Sequence, residues 1–310
     1  MSSLEIIDLK THFPTPDGHV RAVDTITLAI RENETFGVIG ETGCGKTVLG
    51  LSVMRLLPPT ATIEGTIKYA GRNLLEVSES EMRAVRGEEI AMILQNPTTS
   101  LNPVIRVGEQ IAEAIRLHQE LNKRDAKEKT VEMLDAVKIP SPARRANEYP
   151  HEFSGGMKQR VMIAMGLACD PSFIIADEPT KGLDVTIKAQ IVELIQNVTE
   201  KKAMLLITHD LGVARELCDR IALMYAGELV EYASLRDIFE DPLHPYTRGF
   251  LGSLPDRGLV PIPGISPSLI DLPEGCRFHP RCKYATDVCR QKHPEMVEVA
   301  GGHFVRCFHA

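Results

Sequence analysis

Two adjacent carboxylates, Asp177 and Glu178, follow the short apolar run from Phe173 to Ala176. In α/β proteins, side chains at the carboxyl ends of buried strands lie where ligands bind. Asp177 therefore suits the coordination shell of Mg²⁺, and Glu178 suits a general base that polarises an attacking water. The alternative is that both are surface carboxylates at the end of a strand. Beside a phosphate-binding element, the pair predicts a hydrolytic site.

Such a phosphate-binding element is predicted at Gly40 to Thr47, whose sequence matches G-x-x-x-x-G-K-[ST]. Glycines allow consecutive backbone amides to turn toward phosphate oxygens. Lys46 would neutralise charge on the β- and γ-phosphates, and Thr47 would present its hydroxyl to Mg²⁺. The alternative is a glycine turn with an exposed lysine. We name residues 40–47 the phosphate loop, and its motif predicts nucleotide binding.

A second anion site is predicted where Ser154, Gly155 and Gly156 open a helix-periodic apolar run from Met157 to Ala168. Backbone amides at the N-terminus of a helix attract negative charge. The hydroxyl and the two glycines therefore indicate a place where a phosphate can approach the backbone.

Two further polar residues follow apolar strands and are expected at the same edge of the sheet. Gln95 comes after Ile90 to Leu94, and His209 comes after Met204 to Thr208. Taken alone, a histidine in such a position is more often a structural hydrogen-bonding group, and a glutamine carries little information.

Short apolar strands alternate with helical stretches along most of the chain. The predicted strands are Leu4 to Lys10, Val20 to Ile30, Phe36 to Ile39, Ile63 to Tyr69, Glu89 to Leu94, Phe173 to Ala176, Met204 to Thr208 and Arg220 to Met224. A helix is predicted from Lys46 to Leu57, ended by two prolines, and a helical insertion between Val107 and Val137. The alternation predicts a largely parallel, helix-covered sheet.

Composition argues against several classes of protein. The chain has 310 residues, of which 43% are hydrophobic and 25% charged, as is ordinary for a globular protein. A formal net charge of −7, the lack of Trp and 5% aromatic residues argue against nucleic acid as a partner. The sequence has neither a run of the roughly 18 apolar residues that span a bilayer nor a signal peptide, so we expect a cytosolic chain.

Taken in order, these motifs resemble the ATPase subunits of ABC transporters over residues 1–250. The correspondence comprises the phosphate loop as Walker A, Gln95 as the Q-loop, Phe153 to Met157 as the signature, Phe173 to Glu178 as Walker B, Gly182 to Asp184 as the D-loop and His209 as the switch histidine. The resemblance implies an α/β P-loop ABC ATPase with a RecA-like core, an antiparallel β subdomain and a helical subdomain at about 96–170. A small Cys-rich C-terminal extension is expected at 251–310, beyond a boundary near Pro242 to Pro255.

The resemblance also implies that two such domains enclose two ATP molecules, each signature facing the phosphate loop of the other domain. It makes Glu178, His209 and Gln95 the catalytic residues, and Thr47, Gln95 and Asp177 the Mg²⁺ set. The implied ATP-binding residues are Phe13, Gly40, Gly43, Cys44, Gly45, Lys46, Thr47, Val48, Ser154, Gly155, Gly156, Asp177 and Asp184. Among them, Phe13 would stack on adenine.

Four short sequence segments resemble one branch of the family, the ATP-binding subunits of dipeptide and oligopeptide importers. They are Gln95-Asn96-Pro97, Ser100-Leu101-Asn102-Pro103, Tyr149-Pro150-His151 and His244-Pro245-Tyr246-Thr247. Met157, which stands where the family commonly has glutamine, resembles the "D" type subunit. The resemblance implies a homologous second ATPase subunit, two transmembrane permease subunits and an extracytoplasmic substrate-binding protein, at the cytoplasmic face of the cell membrane. Importers of nickel, glutathione or oligosaccharides, and a soluble ABC ATPase, are the alternatives.

Four cysteines cluster in the proline-rich tail, spaced Cys276-x5-Cys282-x6-Cys289-x17-Cys307. This spacing lacks the close pairs of a zinc ribbon and does not match the bacterial ferredoxin run. Four thiolates can nonetheless hold zinc or a [4Fe–4S] cluster. The resemblance to peptide-importer subunits extends over Gly275 to Cys282 and implies a [4Fe–4S] cluster on the four cysteines. Zinc and free or disulfide-bonded thiols are the alternatives.

Overall fold

The structure is a computed structural model that describes residues 2–254 and 257–310. Its strands are β1 (Ser2–Thr15), β2 (Gly18–Arg31), β3 (Thr35–Ile39), β4 (Thr62–Tyr69), β5 (Arg72–Asn73), β6 (Ile90–Ile93), β7 (Phe173–Asp177), β8 (Ala203–Thr208), β9 (Arg220–Tyr225), β10 (Glu228–Ser234), β11 (Val297–Ala300) and β12 (His303–Val305). Its α-helices are α1 (Lys46–Val53), α2 (Glu79–Glu88), α3 (Pro97–Ser100), α4 (Val107–Gln119), α5 (Lys123–Ala136), α6 (Pro142–Arg145), α7 (Gly155–Leu167), α8 (Val185–Thr199), α9 (Leu211–Leu217), α10 (Leu235–Glu240), α11 (Pro245–Gly252) and α12 (Asp287–Gln291).

The chain divides into two compact units. Unit 1 comprises Met1–Glu76 and Leu206–Ala310, and unit 2 comprises Val77–Leu205, so β8 begins in unit 2 and ends in unit 1. Residues 251–310 are not separated from unit 1 by this division. The boundary expected near Pro242 to Pro255 stays a prediction, and Pro255 lies outside the described residues.

Unit 1 contains an antiparallel sheet in the order β2-β1-β4-β5. In β2, Ile26, Leu28 and Ile30 are buried whereas the residues between them are exposed. This alternation places one face of the sheet on a core, because successive side chains of a strand point to opposite faces. The predicted strands at 4–10 and 20–30 are confirmed, and both extend beyond the predicted limits.

The prediction of a largely parallel sheet is only partly right. In unit 1, β3 and β9 pair in parallel, with Gly37 opposite Ile221, but the neighbouring strands follow in the order β9-β10-β12-β11 with antiparallel pairing. The cause is local: β9 and β10 are joined by Ala226 and Gly227, with φ of 47° and 87°. A two-residue turn with positive φ returns the chain as a hairpin, which is necessarily antiparallel.

Helix α1 is shorter than the sequence predicted, ending at Val53 rather than at Leu57. Arg55 has a φ of 50°, in the left-handed region. A residue in that conformation ends a helix, so α1 terminates before the prolines that were expected to stop it.

Unit 2 contains the parallel pair β6 and β7, in which Ile93 lies opposite Ala176. Helix α7 contacts β6 and the helices α3, α4, α5 and α8. The helical insertion predicted between Val107 and Val137 is confirmed as α4 and α5. These separate at Glu120, whose φ is 49°, and α5 then begins after Asn122, whose side chain accepts hydrogen bonds from the backbone of Arg124 and Asp125.

Within the described parts of the chain, no helix has both the length and the apolar character needed to cross a membrane.

Candidate functional site

The phosphate loop lies in unit 1 between β3 and α1, as the motif predicts. Gly45 precedes α1 with a φ of 110°, and a Cβ on it would approach the carbonyl oxygen of Ala22 to 1.9 Å. Only glycine fits that position. No side chain caps the N-terminus of α1. The N-terminus of α1 thus has no side-chain cap, and a helix N-terminus attracts negative charge.

Lys46 is held against the loop's own backbone. Its side chain is buried, and Nζ donates hydrogen bonds to the carbonyl oxygens of Gly40 at 2.7 Å and Glu41 at 2.9 Å. Nζ also lies 3.7 Å from Sγ of Cys44. Burial raises the pKa of the Cys44 thiol, against the opposing effect of Lys46. The lysine is thus positioned in the loop, where it can exchange carbonyl oxygens for phosphate oxygens.

Glu41 is anchored on three sides, a feature that the sequence did not reveal. Its carboxylate accepts hydrogen bonds from both terminal nitrogens of Arg281, at 2.8 and 3.0 Å, and from the hydroxyl of Ser266. Its backbone amide donates to the hydroxyl of Tyr246 at 3.1 Å. Burial acts to raise the pKa of Glu41, but the hydrogen bonds from Arg281 and Ser266 outweigh it and lower that pKa below its ordinary value.

Two of the residues that anchor Glu41 lie in sequence segments that resemble peptide-importer subunits. Tyr246 belongs to His244-Pro245-Tyr246-Thr247, and Arg281 lies next to a tail cysteine. Neither segment contains a motif that predicts contact with the phosphate loop, because Glu41 and Arg281 are 240 positions apart.

In unit 2, the predicted pair of carboxylates ends β7, which is buried along its whole length. Asp177 is 1% exposed and Glu178 is 6% exposed. Glu178 has a φ of 48°, which is uncommon for any residue other than glycine. Such strained backbone is concentrated at functional sites, because surrounding structure must hold it in place.

The helix predicted after Ser154 is present as α7, and an anion site at its start stays a prediction. Ser154 precedes the helix, and its Oγ accepts a hydrogen bond from the backbone amide of Met157 at 3.3 Å. A Cβ on Gly156 would lie 2.8 Å from Cγ2 of Ile187, whereas a Cβ on Gly155 would meet nothing within 4 Å. Packing within unit 2 therefore accounts for Gly156 but not for Gly155.

The remaining predicted residues are distributed over both units. Asp184 precedes α8, and its Oδ1 accepts hydrogen bonds from the amides of the two residues after Val185, each at 3.0 Å. Gln95 is partly exposed just after β6, and His209 is exposed directly after β8. Phe13 lies within β1 opposite Val20. Of the predicted ATP-site residues, unit 1 thus holds Phe13, the phosphate loop with the adjoining Val48, and His209, and unit 2 holds the others.

The four tail cysteines do not form a metal site in this structure. Among the described residues, no group of three or more His, Cys, Asp and Glu side chains is arranged to hold a metal ion. Sγ of Cys289 lies 3.3 Å from Nε2 of His309, and burial raises the pKa of Cys276 to about 12. Neither the [4Fe–4S] cluster nor zinc is supported.

Comparisons with known proteins agree with the motifs. The model of a family described as ABC transporter matches residues 23–181, and the model of the oligopeptide/dipeptide transporter C-terminal region matches residues 230–289. The chain is 50% identical to a probable peptide ABC transporter ATP-binding protein of Sinorhizobium fredii over 98% of this chain and 94% of that protein. It is 45% identical to the oligopeptide transport ATP-binding protein OppD of Salmonella typhimurium, over 98% and 93% of the two chains.

Solved structures give the same result for the fold. The chain is similar to a dimeric post-hydrolysis state of the ATP-binding cassette MJ0796 bound to ADP and phosphate, with a TM-score of 0.68 and 25% identity. The match covers 75% of this chain and 99% of that one. The expected ABC ATPase fold is therefore confirmed.

Proposed function

The chain belongs to the ABC transporter family of ATP-hydrolysing subunits, and from that premise we propose that it powers the import of dipeptides or oligopeptides. One observation carries the choice of cargo. Its relatives that are named for peptide transport match it over 98% of its length, and the C-terminal region described for oligopeptide/dipeptide transporters matches residues 230–289. The relation thus extends through the tail as well as through the nucleotide motifs.

In the proposed reaction, the phosphate loop binds the triphosphate through the amides before α1 and through Lys46. Asp177 and the Thr47 hydroxyl fit Mg²⁺ because both offer hard oxygen ligands, and Gln95 would complete that set. Mg²⁺ held there would supply positive charge that offsets the charge of the phosphates. Glu178 accepts a proton from the attacking water, and His209 contacts the γ-phosphate.

We propose that the complete site requires a second ATPase subunit. MJ0796 is described as dimeric, and Gly155 is exposed, with nothing within 4 Å of a Cβ placed on it. The further proposed partners are two transmembrane permease subunits and an extracytoplasmic substrate-binding protein. This arrangement would hold the chain at the cytoplasmic face of the membrane as a peripheral subunit.

The assignment of Glu178 is tested by Glu178→Gln. The variant is expected to retain ATP binding and to lose turnover, because the amide cannot accept the proton. Glu216→Gln on α9, an exposed glutamate, is the matched control and should hydrolyse ATP as the unchanged chain does. Phosphate release and equilibrium ATP binding are measured together, and full turnover in Glu178→Gln would overturn the assignment of the base.

The cargo is tested in proteoliposomes that hold the complete transporter with its substrate-binding protein. Peptides are expected to stimulate ATP hydrolysis, whereas Ni²⁺, glutathione and oligosaccharides are not. Stimulation by one of these other solutes in place of peptides would contradict the proposal of peptide import while leaving the ATPase assignment intact.

A [4Fe–4S] cluster on the tail is kept as a separate proposal. It rests on the four cysteines of the tail and on the match of residues 230–289 to the oligopeptide/dipeptide transporter C-terminal region. Binding would require Cys289 to leave His309 and the thiols to lose their protons. Protein purified without oxygen is assayed for iron, labile sulfide and visible absorbance, and the absence of all three would remove the proposal.

A further inference from the structure

The cysteine tail is fastened to the phosphate loop by a segment, Cys276 to Cys282, that contains two arginines. Arg281 reaches Glu41, the second residue of the loop, and its side chain is only 6% exposed. Both of its terminal nitrogens engage the carboxylate, which is the geometry that gives an arginine–carboxylate pair its directional strength.

The second arginine of the segment fastens it to the strands beside the loop. Arg277 donates to the carbonyl oxygen of Ala226 at 2.6 Å and to the carboxylate of Asp24. The neighbouring Gly227 donates its amide to the carbonyl oxygen of Cys44 at 3.0 Å. Arg281 therefore contacts the phosphate loop directly. Arg277 contacts Ala226, whose neighbour Gly227 is hydrogen-bonded to the loop.

Between these two contacts, the segment is anchored by the buried aromatic ring of Phe278. Phe278 is 3% exposed and packs edge-on against Tyr225, with ring centroids 5.3 Å apart, and against Tyr246 at 5.5 Å. Tyr246 is the residue whose hydroxyl accepts the amide proton of Glu41. This buried cluster thus holds Tyr246, which binds the backbone of Glu41. It also anchors the segment that carries Arg281, which binds the side chain of Glu41.

These contacts bear on the lysine of the loop. The carbonyl oxygen of Glu41 accepts a hydrogen bond from Nζ of Lys46, so the position of Glu41 affects the position of the ammonium group. The Glu41 carboxylate is also a negative charge within a loop that must receive phosphates, and an arginine paired with it offsets that charge.

We infer that Arg281 is a positioning residue for nucleotide binding: through Glu41, the cysteine tail holds the phosphate loop in the conformation that accepts ATP. The inference rests on the proposed nucleotide site. Arg281 touches Glu41 rather than the reacting atoms, so its loss acts on ATP affinity and leaves the rate of the chemical step nearly unchanged.

The test compares Arg281→Met with the unchanged chain, using equilibrium binding of a fluorescent ATP analogue and steady-state hydrolysis by the assembled transporter. The dissociation constant and KM are expected to rise about tenfold, within the usual range for coupling between two sites, with kcat preserved. Arg281→Lys should recover part of the loss, because it keeps the charge without the two-pronged contact. Arg290→Met is the matched control: Arg290 lies in the same tail, and its ion pair with Asp287 is exposed.

A double-mutant cycle separates the contact from a general loss of folding. If the pair is the cause, Glu41→Gln combined with Arg281→Met should be no worse than Arg281→Met alone. Ser266→Ala, which removes a smaller contact to Glu41, serves if Arg281→Met fails to fold, and should weaken ATP binding in the same direction. An unchanged dissociation constant in Arg281→Met, or in Ser266→Ala where that variant is needed, overturns the inference. Failure of the unchanged chain to bind the analogue would instead contradict the nucleotide site itself.

Discussion

The environment of His244 predicts that this protein loses stability as the pH falls below the ordinary range of histidine titration. The ring is fully buried, and Nδ1 accepts the amide proton of Tyr246 at 3.0 Å at the start of α11. Burial, reinforced by the charge of Arg248, lowers the pKa of His244 from 6.5 to about 3, against the smaller opposing effect of a hydrogen bond with the backbone of Arg306. The folded chain therefore keeps this ring neutral at pH values where the unfolded chain protonates it.

The sign and size of the effect follow from proton linkage. Between pH 6.5 and 3 the unfolded state binds one more proton, so the contribution of His244 to stability is complete above 6.5 and is lost on acidification. The slope is about 1.4 kcal/mol per pH unit well below 6.5. Between pH 7.5 and 5.0, His244 alone should lower the free energy of unfolding by about 2 kcal/mol.

His244→Asn isolates this term. Asparagine can accept the same helix-capping hydrogen bond but does not titrate in this range. Because the chain lacks Trp, urea unfolding is followed by far-ultraviolet circular dichroism, at pH 7.5 and at pH 5.0. The variant is expected to be less stable at both pH values, since it loses the ring that packs 5.7 Å from Phe278, but to lose about 2 kcal/mol less between them.

His19→Asn is the matched control, because His19 is exposed in β2. It should show the same pH dependence as the unchanged chain. If His244→Asn also loses as much stability between the two pH values as the unchanged chain does, the ring is not held neutral by burial and the reasoning is refuted.

Two further predictions concern unit 2. Gly156→Ala should destabilise the chain by about 1–3 kcal/mol in urea unfolding, because the added methyl group meets Ile187. Gly155→Ala should not destabilise the chain and should instead weaken ATP-induced dimerisation, measured by size-exclusion chromatography. Equal stability of the two variants would contradict the packing argument. Asp184→Ala should lower the free energy of unfolding by about 1 kcal/mol through loss of the cap of α8, and Asp184→Asn should retain most of that stability. Equal losses for the two variants in the same unfolding assay would show that the cap is not the cause.

Features encoded by neighbouring residues were predicted well. The phosphate loop was found because glycine spacing and the adjoining apolar run are local properties. The strand that ends in Asp177 was found because continuous apolar sequence marks a strand buried on both faces. Errors arose where backbone conformation decided the outcome: Arg55 ends α1 early, and Ala226 with Gly227 turns β9 back into an antiparallel partner.

The tail was interpreted less successfully. Four cysteines in a short stretch indicated a metal site, yet among the described residues their side chains are not arranged as ligands. Spacing along a chain does not determine the directions in which thiols point. The arginines between these cysteines belong to no motif that predicts a partner, although they make the contacts that join the tail to the loop.

The sequence by itself determined the kind of chemistry, because a lysine after glycines and carboxylates after an apolar strand are patterns of adjacent residues. Tertiary structure alone decided what supports that chemistry. The pairing of Glu41 with Arg281, the open surroundings of Gly155 and the neutral ring of His244 depend on which distant segments pack together. Such contacts arise from burial and geometry over long separations, and no local pattern of residue types specifies them.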